Sequence, residues 1–425
     1  MRYMIGGLMT CGMVMGSSSS LAQAVGSGTS IIISPQLERS DVAGARIEPD
    51  FRSEPVRIGI LAVQPALSVL GGYSTNVFNR PEARSDAMLF VMPALQMTAD
   101  FSPHRLDLGA RGTLRRFATF KSEDSEEFDM TADGDVELST IGRLTATAGF
   151  ANLIEPRSSV GTVADAAEPV SYQRLNGTFG VEMDLGRVRI APSVNYQELH
   201  YAPLSLASGL QVGQSFRNTQ ATRANVRISY DFSGMVAGFA SGSLSDIHST
   251  SAPRSIRRDA RGAAVMVGFK GSLTPLLTGE IGVGYQSLSY ELPIYRDFSG
   301  GTFAADLQWF VTPLMTLRLQ ANRSFQNSGF REVAGILTDR ATLTGYYDPL
   351  RNVRLSLSAI YENGRYREVD TRTRRQSVKL NAEYRMSPLL SIGGYLEFIH
   401  QNVDGTPLVG AFTSASAGIG ISVTP

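Results

Sequence analysis

The stretch TPLLTGEIGVGYQSLSY, Thr274–Tyr290, decides the fold. It opens on Thr-Pro and then alternates. Leu277, Ile281, Val283 and Tyr285 fall on one parity, and Thr278, Glu280 and Gln286 on the other. The same device returns as TPLMTLRLQANRSF from Thr312, DPLRNVRLSLSAIY from Asp348 and SPLLSIGGYLEFIH from Ser387, with a weaker relative, SPHRLDLGARGTLRRF, from Ser102. A residue that turns the chain, a proline that cannot donate to a ladder, and then a period of two is the signature of a hairpin arm.

Outward from these repeats the period-2 signal continues in both directions. Leu106, Leu108, Ala110 and Leu114 alternate with Asp107, Gly109, Arg111 and Arg115; Ala224, Val226, Ile228 and Tyr230 alternate with Arg223, Asn225, Arg227 and Ser229. Similar runs extend from a first strand near Ala66–Val77 to a last near Ser414–Val423. Tight turns are expected at Phe101–His104, Ser139–Arg143, Leu185–Arg187, Ser233–Met235, Thr274–Leu276, Thr312–Leu314, Asp348–Leu350 and Ser387–Leu389. Long polar connections such as KSEDSEEFD and EPRSSVGTVADAAEPV lie between them.

Strands with one continuous apolar face and full charges on the other do not suit a sandwich core. A closed sheet with lipid outside and water inside accounts for both faces, and closure leaves no unpaired edge in lipid. The expected fold is all-β: a transmembrane antiparallel up-and-down barrel of about eighteen strands, with sixteen still open, short periplasmic turns and long extracellular loops. Aromatics fit two belts. Phe101, Phe232, Trp309, Tyr347 and Tyr384 precede short turns on the apolar parity, and Tyr73, Phe128, Phe150, Tyr196, Tyr285, Tyr361 and Phe398 lie near the long connections.

The N-terminus reads as a cleaved secretory signal over residues 1–24, with Arg2 ahead of an apolar core and Ala22-Gln23-Ala24 at the cut. Residues 25–58 are expected to be a flexible periplasmic leader with at most a short strand at Ile31–Ile33, and residues 59–425 the barrel. Cys11, the single cysteine, leaves with the signal, which removes disulfides and thiol chemistry from the mature chain. Lys plus Arg and Asp plus Glu both count 39, so no bulk charge seeks nucleic acid.

Catalytic and metal patterns are missing. His104, His200, His248 and His400 are scattered, GFASG at Gly238 is mis-spaced for a nucleophile elbow, and the glycines of GVGYQS sit in a strand and not in a phosphate loop. No cofactor, metal or catalytic residue is expected. The remaining candidates are charges on the inner parity: Arg111, Arg115, Asp129, Asp133, Asp135, Glu137, Arg174, Glu182, Arg189, Arg223, Arg227 and Arg318. They either pair across strands in a wet interior or line a selective pathway.

VQPALSVLGGYSTNVFNRPEARSD, with Pro65, Leu67, Val69, Tyr73 and Asn76–Phe78 in a first strand and Arg84–Asp86 before the second, resembles the β-barrel porin family of Gram-negative outer membranes, as do the later TPL turns. The resemblance covers about Val63 to the C-terminus. It implies an outer-membrane barrel, and members often accompany exopolysaccharide synthesis and export genes. The ending GISVTP departs from the terminal aromatic that many outer-membrane proteins present to the assembly machinery.

Three functions are carried forward. The first is a porin-like channel for an exopolysaccharide or another small hydrophilic solute; the second is a non-conducting accessory barrel of an export machine; the third is a barrel enzyme. Expected partners are outer-membrane lipid, the barrel assembly machinery and polysaccharide export components, with no nucleic acid.

Overall fold

The computed structural model describes residues 43–44, 46, 49–159, 166–206, 208–406 and 408–424. The signal segment and the Ile31–Ile33 strand lie outside the described residues. Eighteen antiparallel strands form one sheet: β1 Leu61–Ser74, β2 Asp86–Phe101, β3 His104–Phe117, β4 Ser125–Ser139, β5 Gly142–Ile154 and β6 Ser171–Leu185. Then come β7 Val188–Tyr201, β8 Thr219–Asp231, β9 Val236–Ser249, β10 Ala260–Thr274, β11 Leu277–Tyr290 and β12 Phe298–Thr312. The last six are β13 Met315–Asn327, β14 Gly335–Leu350, β15 Val353–Tyr366, β16 Thr371–Arg385, β17 Leu390–Gly405 and β18 Phe412–Val423. Each pairs with its neighbours in sequence, and β18 returns to β1, from Leu67 opposite Val423 to Ser74 opposite Ser416. The sheet is therefore closed.

Directly paired residues share a face, so the register fixes two faces all the way round. One carries Val69, Leu89, Met130, Phe179, Val226, Leu244, Val267, Val283, Leu343, Leu357, Leu396 and Ile419, all exposed, with Leu244 and Ile419 reaching 68%. Such a belt is far larger than the apolar patches a water-soluble surface tolerates; it is the lipid-facing side. Phe101, Phe232, Trp309, Tyr347 and Tyr384 stand on this face at the short-turn end. Tyr73, Phe128, Phe150, Tyr285, Tyr361 and Phe398 stand on it toward the other end.

The repeated Thr/Ser-Pro pair has a mechanical reason. The Thr274 hydroxyl accepts the Leu276 and Leu277 N–H groups at 3.3 and 2.9 Å. Ser387 does the same for Leu389 and Leu390 at 3.3 and 3.1 Å. At Thr312 the acceptance is from Leu314, at 3.3 Å. These hydroxyls satisfy backbone donors that the reversal frees, while the proline, lacking an N–H, frees none.

The Asp348 repeat behaves differently. The ladder runs on to Leu350 opposite Val353 after a register shift, so the turn lies at Arg351–Asn352 and not at Asp348–Leu350. Asp348 instead points inward, where its Oδ2 accepts the Gly44 N–H at 3.0 Å. That residue belongs to a short stretch ahead of the barrel. Arg354 donates to the Arg46 carbonyl at 2.8 Å. Gly44 has φ +87° and a Cβ there would meet the Tyr346 ring at 2.6 Å, so only glycine fits. Val56–Ile58 also pairs, against Leu61–Val63, where the leader was expected to carry no further strand.

Candidate functional site

The face opposite the lipid belt carries the charge. All twelve candidate residues fall on it: each is at a register position whose partners alternate with the exposed apolar set. They form several separate groups.

The densest is on β3 to β6. Arg111 is opposite Asp129, Asp107 opposite Asp133 and Arg105 opposite Asp135. Arg105 donates from Nε to Asp107 at 2.6 Å, and the Thr98 hydroxyl reaches the same carboxylate at 2.6 Å. Arg143 is opposite Glu137 on one side and Glu182 on the other, with its Nε 3.6 Å from Asp135. Arg115 lies over the Phe90 ring at 5.3 Å. With Glu127, Asp129, Asp133, Asp135 and Glu137 all on its inner parity, β4 offers more carboxylates than the neighbouring arginines engage.

Farther round, Arg189 binds Asp184 at 2.5 Å. Arg227 reaches Glu280 at 2.8 Å while stacking 3.8 Å from the Phe239 ring centre. Gly268 and Gly282 make room for that ring: a Cβ on either would lie within 3.0 Å of it. Arg174 on β6 lies in the same row as Ala151 and Asp129, and Arg223 on β8 is opposite Asn195 and Ser245. Arg318 holds Asp306 through two bonds of 2.8 and 2.6 Å. On β13 to β16 the inner parity carries Arg318, Arg340, Arg354, Arg375, Lys379 and Arg385 against Asp348, Glu362 and Glu383, with Asp306 on β12 and Glu397 on β17 flanking them. β13 lies half the ring from β4. The acidic strand thus looks across the interior at a basic quadrant.

The long-loop end holds residues that no local pattern pointed to. Arg217, before β8, donates to both oxygens of Glu155, at 3.0 and 2.7 Å, and lies 3.9 Å from the Tyr201 ring centre. Burial works against the Arg217 charge, but Glu155 and Tyr201 outweigh it and hold the pKa above the ordinary arginine value. Arg157 grips Glu123 at 3.0 Å and the Ala166 carbonyl at 2.8 Å. Arg258 donates to the Ser328, Phe330 and Val333 carbonyls at 2.7, 2.5 and 2.9 Å. Burial lowers its pKa from the usual value. Arg375 on β16 bonds the Ser158 carbonyl as well as Glu362. Because Ser158 lies between β5 and β6, that contact crosses the barrel mouth. Apart from Arg157–Ala166 and Arg375–Glu362, these partners are 34 to 217 residues apart in sequence, so the assembled sheet and not a local pattern brings them together.

Among the described residues no three His, Cys, Asp or Glu side chains gather as a metal site. His248 meets Asp246 at 3.1 Å, but on the outer face.

No curated protein matches the chain. Among solved structures it is similar to the copper transporter OprC, with a TM-score of 0.48, 10% identity, and 88% of this chain and 82% of that one covered. It is also similar to the siderophore receptor PirA from Acinetobacter baumannii, with a TM-score of 0.46, 5% identity and 85% and 80% covered. For OpdO from Pseudomonas aeruginosa the TM-score is 0.45, with 12% identity and 85% and 97% covered. The family model described as "Putative beta-barrel porin 2" matches residues 48–424, the whole closed sheet and the short paired stretch before it. With its lipid-facing belt and charged interior, the chain belongs to that family of porin-like outer-membrane β-barrels.

Proposed function

We propose that the protein is a channel for hydrophilic solutes, with its long loops on the cell surface and its short turns in the periplasm. One observation carries this reading. The β4 carboxylates face a basic quadrant half a ring away, an arrangement that costs desolvation in a dry core but suits a water-filled path. Opposed rows of charge set up a transverse field that orients polar solutes and favours one ion sign near each wall. A secreted polysaccharide is the cargo class that the family resemblance implies, and hydroxyl-rich chains suit a wall of alternating carboxylates, guanidiniums and amides. The twelve inner-face candidates act in this reading as lining residues and none as a catalyst. Insertion would use the barrel assembly machinery after export by a cleaved signal.

A second reading has its own support. Buried ion pairs tie the long loops together, and Arg375 reaches Ser158 across the mouth. Such a cap fits a gated channel or an accessory barrel that does not conduct. Conductance in a planar bilayer separates them. A channel gives unitary steps that increase when Arg375→Met and Arg217→Met loosen the cap. Silence from both the natural chain and the doubly changed one, each verified as folded by heat-modifiable gel mobility, assigns the accessory role.

A further inference from the structure

The outer face carries a basic cluster just beyond the lipid belt at the long-loop end, on β13 to β17. We propose that this cluster binds the phosphorylated headgroup of a lipid in the leaflet on that side.

Arg365 on β15 stands directly opposite Arg372 on β16, and Asn363 opposite Arg374. All are on the parity of Leu357 and Tyr361, so they face outward. Two cations directly opposed across a ladder repel each other, and Asp339 and Asp404, the carboxylates paired into these ladders, are already in use. Arg323 clamps Asp339 through two bonds, the longer 3.0 Å, and Arg365 adds a third to the same group at 3.0 Å. Asp404, opposite Arg372, is bonded by Arg374. Arg372 donates to the neutral amide oxygen of Asn363 at 2.7 Å. Within the ladders these four guanidiniums share Asp339 and Asp404, with Asp370 two residues before Arg372, so positive charge remains in excess on an exposed surface.

The other outward charges at this end balance differently. Arg116 is bonded to Glu126. Arg261 is opposite Asp246, with Glu198 on a strand nearby. Neither of these places carries a positive excess.

Its height selects the occupant. Arg365 lies four residues beyond Tyr361, and Arg374 four beyond Val378. At about 3.4 Å per residue and a strand tilt of about 40°, the guanidiniums sit roughly 10 Å past the edge of the apolar belt. This is the headgroup layer, where lipid phosphates lie and where arginine forks match them two oxygens at a time. The cluster is continuous with the lipid-facing belt, so a lipid can seat its chains on Leu357, Val378 and Leu396 while its phosphate meets Arg365 and Arg372. A free anion would gain only the second contact.

The test uses the full folded chain in detergent and native mass spectrometry. The probes are diphosphoryl lipid A, the same lipid with both phosphates removed, and inorganic phosphate as competitor. The natural protein is expected to retain the phosphorylated lipid. Arg365→Gln with Arg372→Gln should weaken retention roughly 25-fold, at about fivefold for each cation facing an anionic headgroup. Arg116→Gln with Glu126→Gln, a neutral pair on the other side, should leave it unchanged. Equal retention by the natural and the Arg365/Arg372 proteins overturns the proposal. So does equal retention of the lipid stripped of phosphate. Displacement by inorganic phosphate at equal concentration also overturns it, because the site would then take the free ion. If the double change prevents folding, Arg372→Gln alone, on an exposed strand end, is expected to give about a fivefold loss. No loss in that variant is equally fatal.

Discussion

Asp133 shows what a single position can do in this interior. It is opposite Asp107, whose carboxylate is already committed to Arg105 and Thr98, so Asp133 adds negative charge that its neighbours do not cancel. Replacing Asp133 and Asp135 together by Asn keeps size and hydrogen bonding but removes both charges. Cation preference, read as the reversal potential across a salt gradient, should fall, and heat-modifiable mobility should persist. An unchanged reversal potential would place the ion path elsewhere. Arg217 acts on another link, stability of the loops. Removing one partner of a buried pair leaves an uncompensated charge and costs about 3–5 kcal/mol. Arg217→Met should therefore expose residues 202–218 to proteolysis while the strands stay protected. Glu155→Gln with Arg217→Met should be milder than either change alone, because no lone charge is left behind. The inner-face residues were legible from parity because a strand repeats every two residues. The loop pairs were not, because Glu155 and Arg217 are brought together by the lateral pairing of β5 to β8 and share no local pattern.

At the level of the strand, the prediction turns on which face a side chain meets. Leu108→Arg puts a charge in mid-belt lipid and should cost roughly 2–4 kcal/mol of barrel stability. Thr113→Arg, on the inner face of the same β3, should cost far less, as read by the fraction of heat-modifiable protein after refolding. Equal losses would mean that the two faces are exchanged. Strand number and most turns were readable because, at the repeated reversals, the Ser or Thr accepts a backbone N–H and the Pro lacks one. Asp348 misled for a physical reason. Its carboxylate serves Gly44 from the stretch ahead of the barrel and faces Arg354 at 3.6 Å, so the ladder continued past it and Arg351–Asn352 made the turn. A first strand near Ala66–Val77 was likewise displaced to Leu61–Ser74. The Asn76 side-chain amide donates to the Arg80 and Thr413 carbonyls and bends the chain away from the sheet there.

For the whole barrel, an even number of strands returns the chain to its starting side, so Leu61 and Val423 lie at the same end as the short turns. An epitope inserted at 121–127 or 158–167 should label on intact cells, and one at Thr312–Leu314 only after the outer membrane is opened. The reverse labelling would invert the orientation. Closure itself is uneven. β2 pairs with β1 along Leu61–Ser74, whereas β18 meets only Leu67–Ser74. Val56–Ile58 folds back to pair with Leu61–Val63 near the stretch that β18 leaves bare. The ring has, in effect, a zipper fastened along part of its length, with a short tab folded over the open teeth. A pulling force or a denaturant would part the cylinder there first. In the nascent chain the same seam can fasten only after the last strand has been made, so the cylinder completes itself last where it holds least.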